Sequence, residues 1–261
     1  MTKELNSAGR LVVVATPIGN LEDLSPRAAR ALAEADLVAS EDTRYTGRLL
    51  AHLGLKRPLV SLHEHNERQR LPRLLERLAG GATIALVSDA GTPLVSDPGF
   101  LLVREAAAAG VRIEPIPGPS AVLAALVASG LPPAPFTFAG FPPPKQGRRR
   151  SFYRRLAGLG HTLVLFESPH RLLASLADAV AELGDRPAAI GRELTKLHEE
   201  VRRGPLAALR EELAARPALK GEFVIVIGGG AGDQAASHPE SQQPPSTREA
   251  AEKTADCPGA T

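Results

Sequence analysis

A chain of 261 residues with one cysteine, Cys257, and a formal charge of +2 has room for one large domain or two modest ones. It excludes a disulfide framework and any cysteine-based zinc site, and suits a reducing cytoplasm. Hydrophobic residues at 43% and charged residues at 23% are those of a soluble globular protein, while the absence of tryptophan disfavours a reader of single-stranded bases by aromatic stacking.

The first apolar run, residues 11–15, is too short for a signal-peptide core and reads as a strand. Further strands are predicted at 58–62, 83–88, 111–116, 136–141, 162–167, 188–192 and 223–227. Several are unbroken Val/Ile/Leu runs, as expected of a sheet covered on both faces. Helices fall between most of them. Ser25-Pro26, Asp97-Pro98 and Ser168-Pro169 each pair an N-cap residue with a proline suited to the first helical position. Gly110 and Gly184 are the matching stops.

This alternation predicts an α/β protein with two α/β domains and largely parallel sheets. Pro117-Gly118-Pro119-Ser120 is the expected hinge, dividing the chain into 1–117 and 118–230. Residues 115–144 carry no charge, but prolines and glycines interrupt them too often for a membrane helix. Residues 231–261 lack apolar periodicity and are expected to be disordered. Five acids and two bases lie in that tail, so residues 1–230 hold 24 acids and 29 bases, a charge of +5. That balance hints at a polyanionic partner.

Common nucleotide and hydrolase motifs are missing. There is no P-loop, the turn after the first strand is not Gly-x-Gly-x-x-Gly, and no Gly-x-Ser-x-Gly elbow occurs. His63 and His65 can share a strand face, but no third ligand stands at suitable spacing, so no metal is expected. What does stand out is a set of loops at the expected C-terminal ends of strands, where α/β sheets bind ligands. The segment from Ser88 to Gly99 is dense in small and turn residues, so its backbone can approach a ligand. Asp97 reads as a helix cap, whereas Asp89 caps nothing and reads as a ligand contact.

In their order and spacing, Pro17-Ile18-Gly19-Asn20-Leu21, Glu41-Asp42-Thr43-Arg44, Ser88-Asp89-Ala90-Gly91-Thr92-Pro93 and Pro117-Gly118-Pro119-Ser120 resemble one family. It is that of the small-subunit ribosomal RNA cytidine 2′-O-methyltransferases, within the tetrapyrrole methylase superfamily. The resemblance runs from about Leu11 to Ile227. It implies S-adenosylmethionine in a cleft between the domains, 16S rRNA in the small ribosomal subunit as substrate, and a homodimer. By the same resemblance Asp89, Thr92, Pro93, Leu94, Ser120 and Ala121 line the cofactor pocket, with Ile18 reaching it from the first loop and Phe166 from the second domain. Glu193-Leu194-Thr195-Lys196 matches a further family segment; its plainer interpretation is a helix start with solvated charges.

A ribose hydroxyl is a poor nucleophile and a sulfonium methyl is already activated, so catalysis rests on alignment and the removal of one proton. Glu41, Asp42, His63 and Glu167 are the candidate bases, with Glu167 put forward as catalytic; it can equally bind ribose or pair with Arg171. The basic stretch from Lys145 to Arg155 argues for RNA, and Lys145, Arg148, Arg149 and Arg150, with Arg44, are the expected RNA contacts. A tetrapyrrole methylase and a non-catalytic RNA-binding protein are the competing alternatives.

Overall fold

In a computed structural model of the chain, residues 9–230 are described; the tail 231–261 lies outside them. The strand Arg10–Val14 (β1) turns Leu11 and Val13 into one apolar cluster and Val12 and Val14 into another, because successive strand side chains face opposite ways. The same division runs through Leu37–Ser40 (β2) and Thr83–Val87 (β4). With Leu59–Ser61 (β3) and Arg112–Ile116 (β5) these strands form a wholly parallel sheet in the order β3-β2-β4-β1-β5. Pro26–Glu34 (α1) and Thr43–His52 (α2) cover one face; Glu67–Ala79 (α3) and Phe100–Ala108 (α4) cover the other.

Strand β2 has no counterpart in the sequence reading. It is four residues long and follows α1 with only Ala35 and Asp36 between them, too little for a run to stand out. Ser25 caps α1 as expected, its hydroxyl accepting from the Ala28 N–H at 3.0 Å. Asp97-Pro98 and Ser168-Pro169 do not start helices. They lie in loops, and the helices begin at Phe100 and Leu172.

Residues 117–120 carry the chain from β5 to Ala121–Ser129 (α5), which packs on a second sheet. That sheet is built from Phe136–Phe138 (β6), Thr162–Glu167 (β7), Pro187–Arg192 (β8), Glu200–Pro205 (β9) and Phe223–Ile227 (β10), in the order β6-β7-β10-β8-β9. Only β6 and β7 are parallel. Strand β10 lies antiparallel to both β7 and β8, and β9 is antiparallel to β8. The expectation of largely parallel sheets therefore fails for the second one: β10, the last strand of the described residues, inserts at its centre. The unforeseen β9 is a polar edge strand, Glu-Val-Arg-Arg-Gly-Pro, without the apolar signal of a buried strand.

Gln146–Leu156 (α6), Leu172–Leu183 (α7) and Leu206–Ala214 (α8) cover one face of this sheet, burying Tyr153, Leu176 and Leu209. On the other face Val164, Ala189, Val224 and Val226 meet α5 and Ile18 from the loop after β1. The two sheets thus meet across the strand-end loops of the first. Among the described residues no helix is long and apolar enough to cross a membrane.

Candidate functional site

The loops after β1 and β4 are tied together. Thr16 and Gly91 exchange backbone hydrogen bonds at 2.8 and 3.0 Å, and the Thr16 hydroxyl donates to the Ser88 carbonyl. Gly91 holds φ at +80°, with Ile18 close beneath it; a side chain would be strained there. Leu94 and Ser96 also hold positive φ, +74° and +69°, which costs on the order of 1 kcal/mol each for residues with a Cβ. The Thr92 hydroxyl donates to the Pro119 carbonyl at 3.3 Å, joining this loop to the connection between the sheets.

Beside these loops opens a cleft of about 340 Å³. Ile18, Gly91, Thr92, Ser96 and Asp97 form one side, Ser120, Ala121 and Val122 the next, and Phe141, Phe166, Glu167 and Gly221–Val224 the far wall. The Phe166 ring packs against Phe138 and Phe141, at 4.9 and 5.4 Å between centroids. Ser120 serves twice, lining the cleft and capping α5 through the Leu123 N–H.

Glu167 is fully buried at the end of β7. Its Oε1 accepts from the Ser168 N–H at 2.9 Å and lies 3.0 Å from the Arg171 guanidinium. Its Oε2 is buried with no hydrogen-bond partner. Asp97, on the side formed by the β4 loop, is pushed up to about 6. Burial is the main cause; Glu41 and Asp89 add to it and the Ser88 hydroxyl offsets part. Glu41 and Asp89 are themselves raised, chiefly by burial. Asp42 is held well below the usual carboxylate range by hydrogen bonds from Arg44, whose guanidinium lies 2.6 Å away.

Ile18, Thr92, Ser120, Ala121, Phe166 and Glu167 therefore line one cleft. Three expected pocket residues do not. Asp89 accepts from the Asp42 N–H at 2.9 Å, Leu94 packs into the core of the first sheet, and Pro93 is buried beside it. Asp97, expected to be a cap, is a lining carboxylate, because Gly99 takes the N-cap position of α4 at φ +109°. Phe141 and Gly221–Val224 were not foreseen; the latter reach the cleft only through the insertion of β10. Glu193–Lys196 does not start a helix. Glu193 and Thr195 hold positive φ, Lys196 bridges Glu193 and Glu222, and its stem packs against Gly19.

The basic stretch also needs correction. Arg149 is 5% exposed and faces inward, its guanidinium 2.7 Å from Asp178 and donating to the Pro144 carbonyl. It cannot reach RNA. Arg150 is exposed but shares Glu182 with Arg154, at 2.6 and 3.0 Å. Lys145, Arg148 and Arg155 have no acidic partner among the described residues and line an open groove with Pro143, Gly147 and Ser151. Arg44 is exposed and paired with Asp42. Among the described residues no group of three His, Cys, Asp or Glu side chains is placed to hold a metal ion.

Comparison with known proteins matches residues 10–210 to the tetrapyrrole (corrin/porphyrin) methylases. The chain is 50% identical over 241 residues to ribosomal RNA small subunit methyltransferase I of Xylella fastidiosa, covering 92% of this chain and 88% of the relative. It is 52% identical over 225 residues to the Pseudomonas aeruginosa protein of the same name, covering 85% and 80%. Diphthine synthase shares the fold at TM-score 0.65 and 21% identity, covering 84% of this chain and 89% of that one. A Thermus thermophilus uroporphyrin-III C-methyl transferase complexed with S-adenyl homocysteine does so at 0.59 and 21%, covering 84% and 97%.

Proposed function

Since this chain belongs to the tetrapyrrole (corrin/porphyrin) methylase family, among the relatives named ribosomal RNA small subunit methyltransferase I, we propose that it methylates a cytidine 2′-hydroxyl of 16S rRNA using S-adenosylmethionine. The observation that carries this is the cleft at the strand ends, half aromatic wall and half polar loop, with the Asp97 carboxylate in its lining. S-adenosylmethionine fits that donor set. Phe141, Phe166 and Ile18 offer apolar contact for a base, Glu167 an acceptor for a hydroxyl or amino group, and Asp97 a negative charge for a cationic ligand. When bound, the cofactor supplies an electrophilic methyl group.

The chain's own residues then have three tasks. The Thr16–Gly91 bridge and the Thr92–Pro119 bond hold the polar loops in register, so that ligands are aligned. The apolar wall excludes water. Asp97, pushed up to about 6, accepts the hydroxyl proton near neutral pH. Glu167, its Oε1 already held by the Ser168 N–H and the Arg171 guanidinium, suits the holding role that the sequence left open better than proton transfer. The free cations Lys145, Arg148 and Arg155 suit phosphates. An rRNA substrate supports a cytoplasmic location. Exposed Leu123 and Val127 on α5 support a homodimer.

The test is to map modified nucleosides in 16S rRNA from cells lacking the gene, then add the purified protein and labelled cofactor to small subunits from those cells. Loss and restoration of one 2′-O-methylcytidine is the expected result. Unchanged rRNA, with methyl transfer to a tetrapyrrole instead, would overturn the proposal.

A further inference from the structure

Helix α3 carries Arg70, Arg73 and Arg77, spaced i, i+3 and i+7 and so stacked on one face. All three are exposed, and none makes an ion pair among the described residues. The neighbouring face is fixed by burial of Leu74 and Leu78 in the core, so the arginine stripe has a defined direction. It overlooks β3, the outer edge of the first sheet. Together they enclose a groove of about 480 Å³, lined by Leu37, Thr43, Leu59, Val60, Ser61 and the three arginines. No acid lines it.

An ordinary solvated helix pairs its arginines with acids three or four residues away. Here Glu67, three residues before Arg70, is 6% exposed, and its carboxylate accepts from the Leu102 N–H at 3.0 Å. Glu76 is exposed but forms no ion pair with Arg73 or Arg77. Over residues 41–80 eight Arg and Lys face five Asp and Glu. The groove is not remote from the cleft. Thr43 starts α2 directly after Asp42, whose N–H is bonded to Asp89 at the end of β4. The end of the groove is therefore joined, through Asp42 and Asp89, to the β4 loop that lines the cleft.

We propose that this groove holds the phosphodiester backbone of the RNA substrate, on the opposite sheet from the Lys145–Arg148–Arg155 groove. The inference rests on the rRNA-methylating reading above and adds a contact surface to it. Three guanidiniums along about 10 Å of helix match a chain of phosphates rather than one anion, and the lining hydroxyls of Thr43 and Ser61 suit phosphate or sugar oxygens. The competing role for such arginines is to guard an open strand edge against pairing with another chain.

The test compares the full-length protein with R70Q/R73Q/R77Q, and with R30Q/R104Q/R112Q, which removes the same charge outside the groove. Binding to small ribosomal subunits is measured at several salt concentrations, alongside methylation kinetics, melting temperature and size. The groove variant should flatten the slope of log affinity against log salt by about 2–3, at roughly 0.7–0.9 per phosphate contact. It should raise KM for the particle and leave cofactor affinity and melting temperature unchanged. The control triple should keep a slope near wild type. Equal slopes and equal KM for both triples would overturn the proposal, as would self-association of the groove variant with RNA affinity intact, the mark of an edge guard. If the wild-type protein itself neither bound nor methylated the particle, the underlying reading would fall with it, so the two failures are distinguishable.

Discussion

Replacing Arg149 with alanine is expected to unfold the protein more readily rather than to weaken its grip on RNA. Arg149 and Asp178 are each 6% exposed at the side chain, joined by two contacts of 2.7 and 2.8 Å between α6 and α7. Removing one partner of such a pair leaves the other charge buried and uncompensated, at about 3–5 kcal/mol. The Pro144 carbonyl also loses its donor. For a protein of this size a melting temperature falls about 2–4 °C per kcal/mol, so Arg149→Ala should melt roughly 6–20 °C lower. Calorimetry or thermal denaturation followed by circular dichroism reads this directly. R149M/D178L, which removes both charges and keeps apolar volume, should recover most of the loss. Arg148→Ala, one residue away but solvated, should leave melting unchanged and reduce the salt slope of particle binding by about 0.7–0.9. An Arg149→Ala protein that melted like wild type but bound RNA with a flatter salt slope would show that this side chain faces the solvent.

Two further outcomes follow from the cleft. Asp97 ionises near 6 in the folded protein against about 4 in an unfolded chain, so methyl transfer should rise as pH passes 6, while stability of the cofactor-free protein should decline between pH 4 and 6 as ionisation increasingly favours the unfolded state. Asp97→Asn should abolish both effects; a pH–rate profile that keeps its limb near 6 would assign the proton to another group. Gly221→Ala places a Cβ 2.6 Å from the Glu193 carboxyl at φ +95°, so it should displace Glu193 from Lys196 and the Glu222 N–H and weaken cofactor binding severalfold, with unchanged affinity by calorimetry counting against that wall being part of the pocket.

Of the first sheet, β1, β4 and β5 were legible because long helical stretches separate them and two of them are buried on both faces, which writes their apolar runs into the sequence, whereas the short β2 was not. The order of strands in the second sheet was not, because inserting β10 between β7 and β8 is a contact across some 55 residues that no local pattern records. In the site, small and turn-forming residues marked the loops well, and Ile18, Thr92, Ser120 and Ala121 from those loops line one cleft. Asp97 was mistaken because Asp-Pro has the chemistry of a cap; only the φ of Gly99 shows that the helix starts later. Arg149 was hidden within a run of three arginines. Its phase was nevertheless available: Tyr153 and Leu156 stand four and seven residues on, and an apolar stripe at that spacing marks Arg149 as core-facing.

The position of β10 also sets when this enzyme can begin to work during its own synthesis. The first sheet is complete once Ile116 has emerged from the ribosome. The second is not: until residues 223–227 appear, β7 lacks its neighbour on one side and β8 and β9 remain a detached antiparallel pair. The far wall of the cleft is incomplete as well, since Gly221–Val224 arrive with that strand. Domains usually fold in the order in which they are made, yet here the half made second waits for nearly its last residue. Cofactor binding is thereby a report that translation has passed β10, and a nascent chain stalled before residue 223 holds one finished sheet and an incomplete cleft.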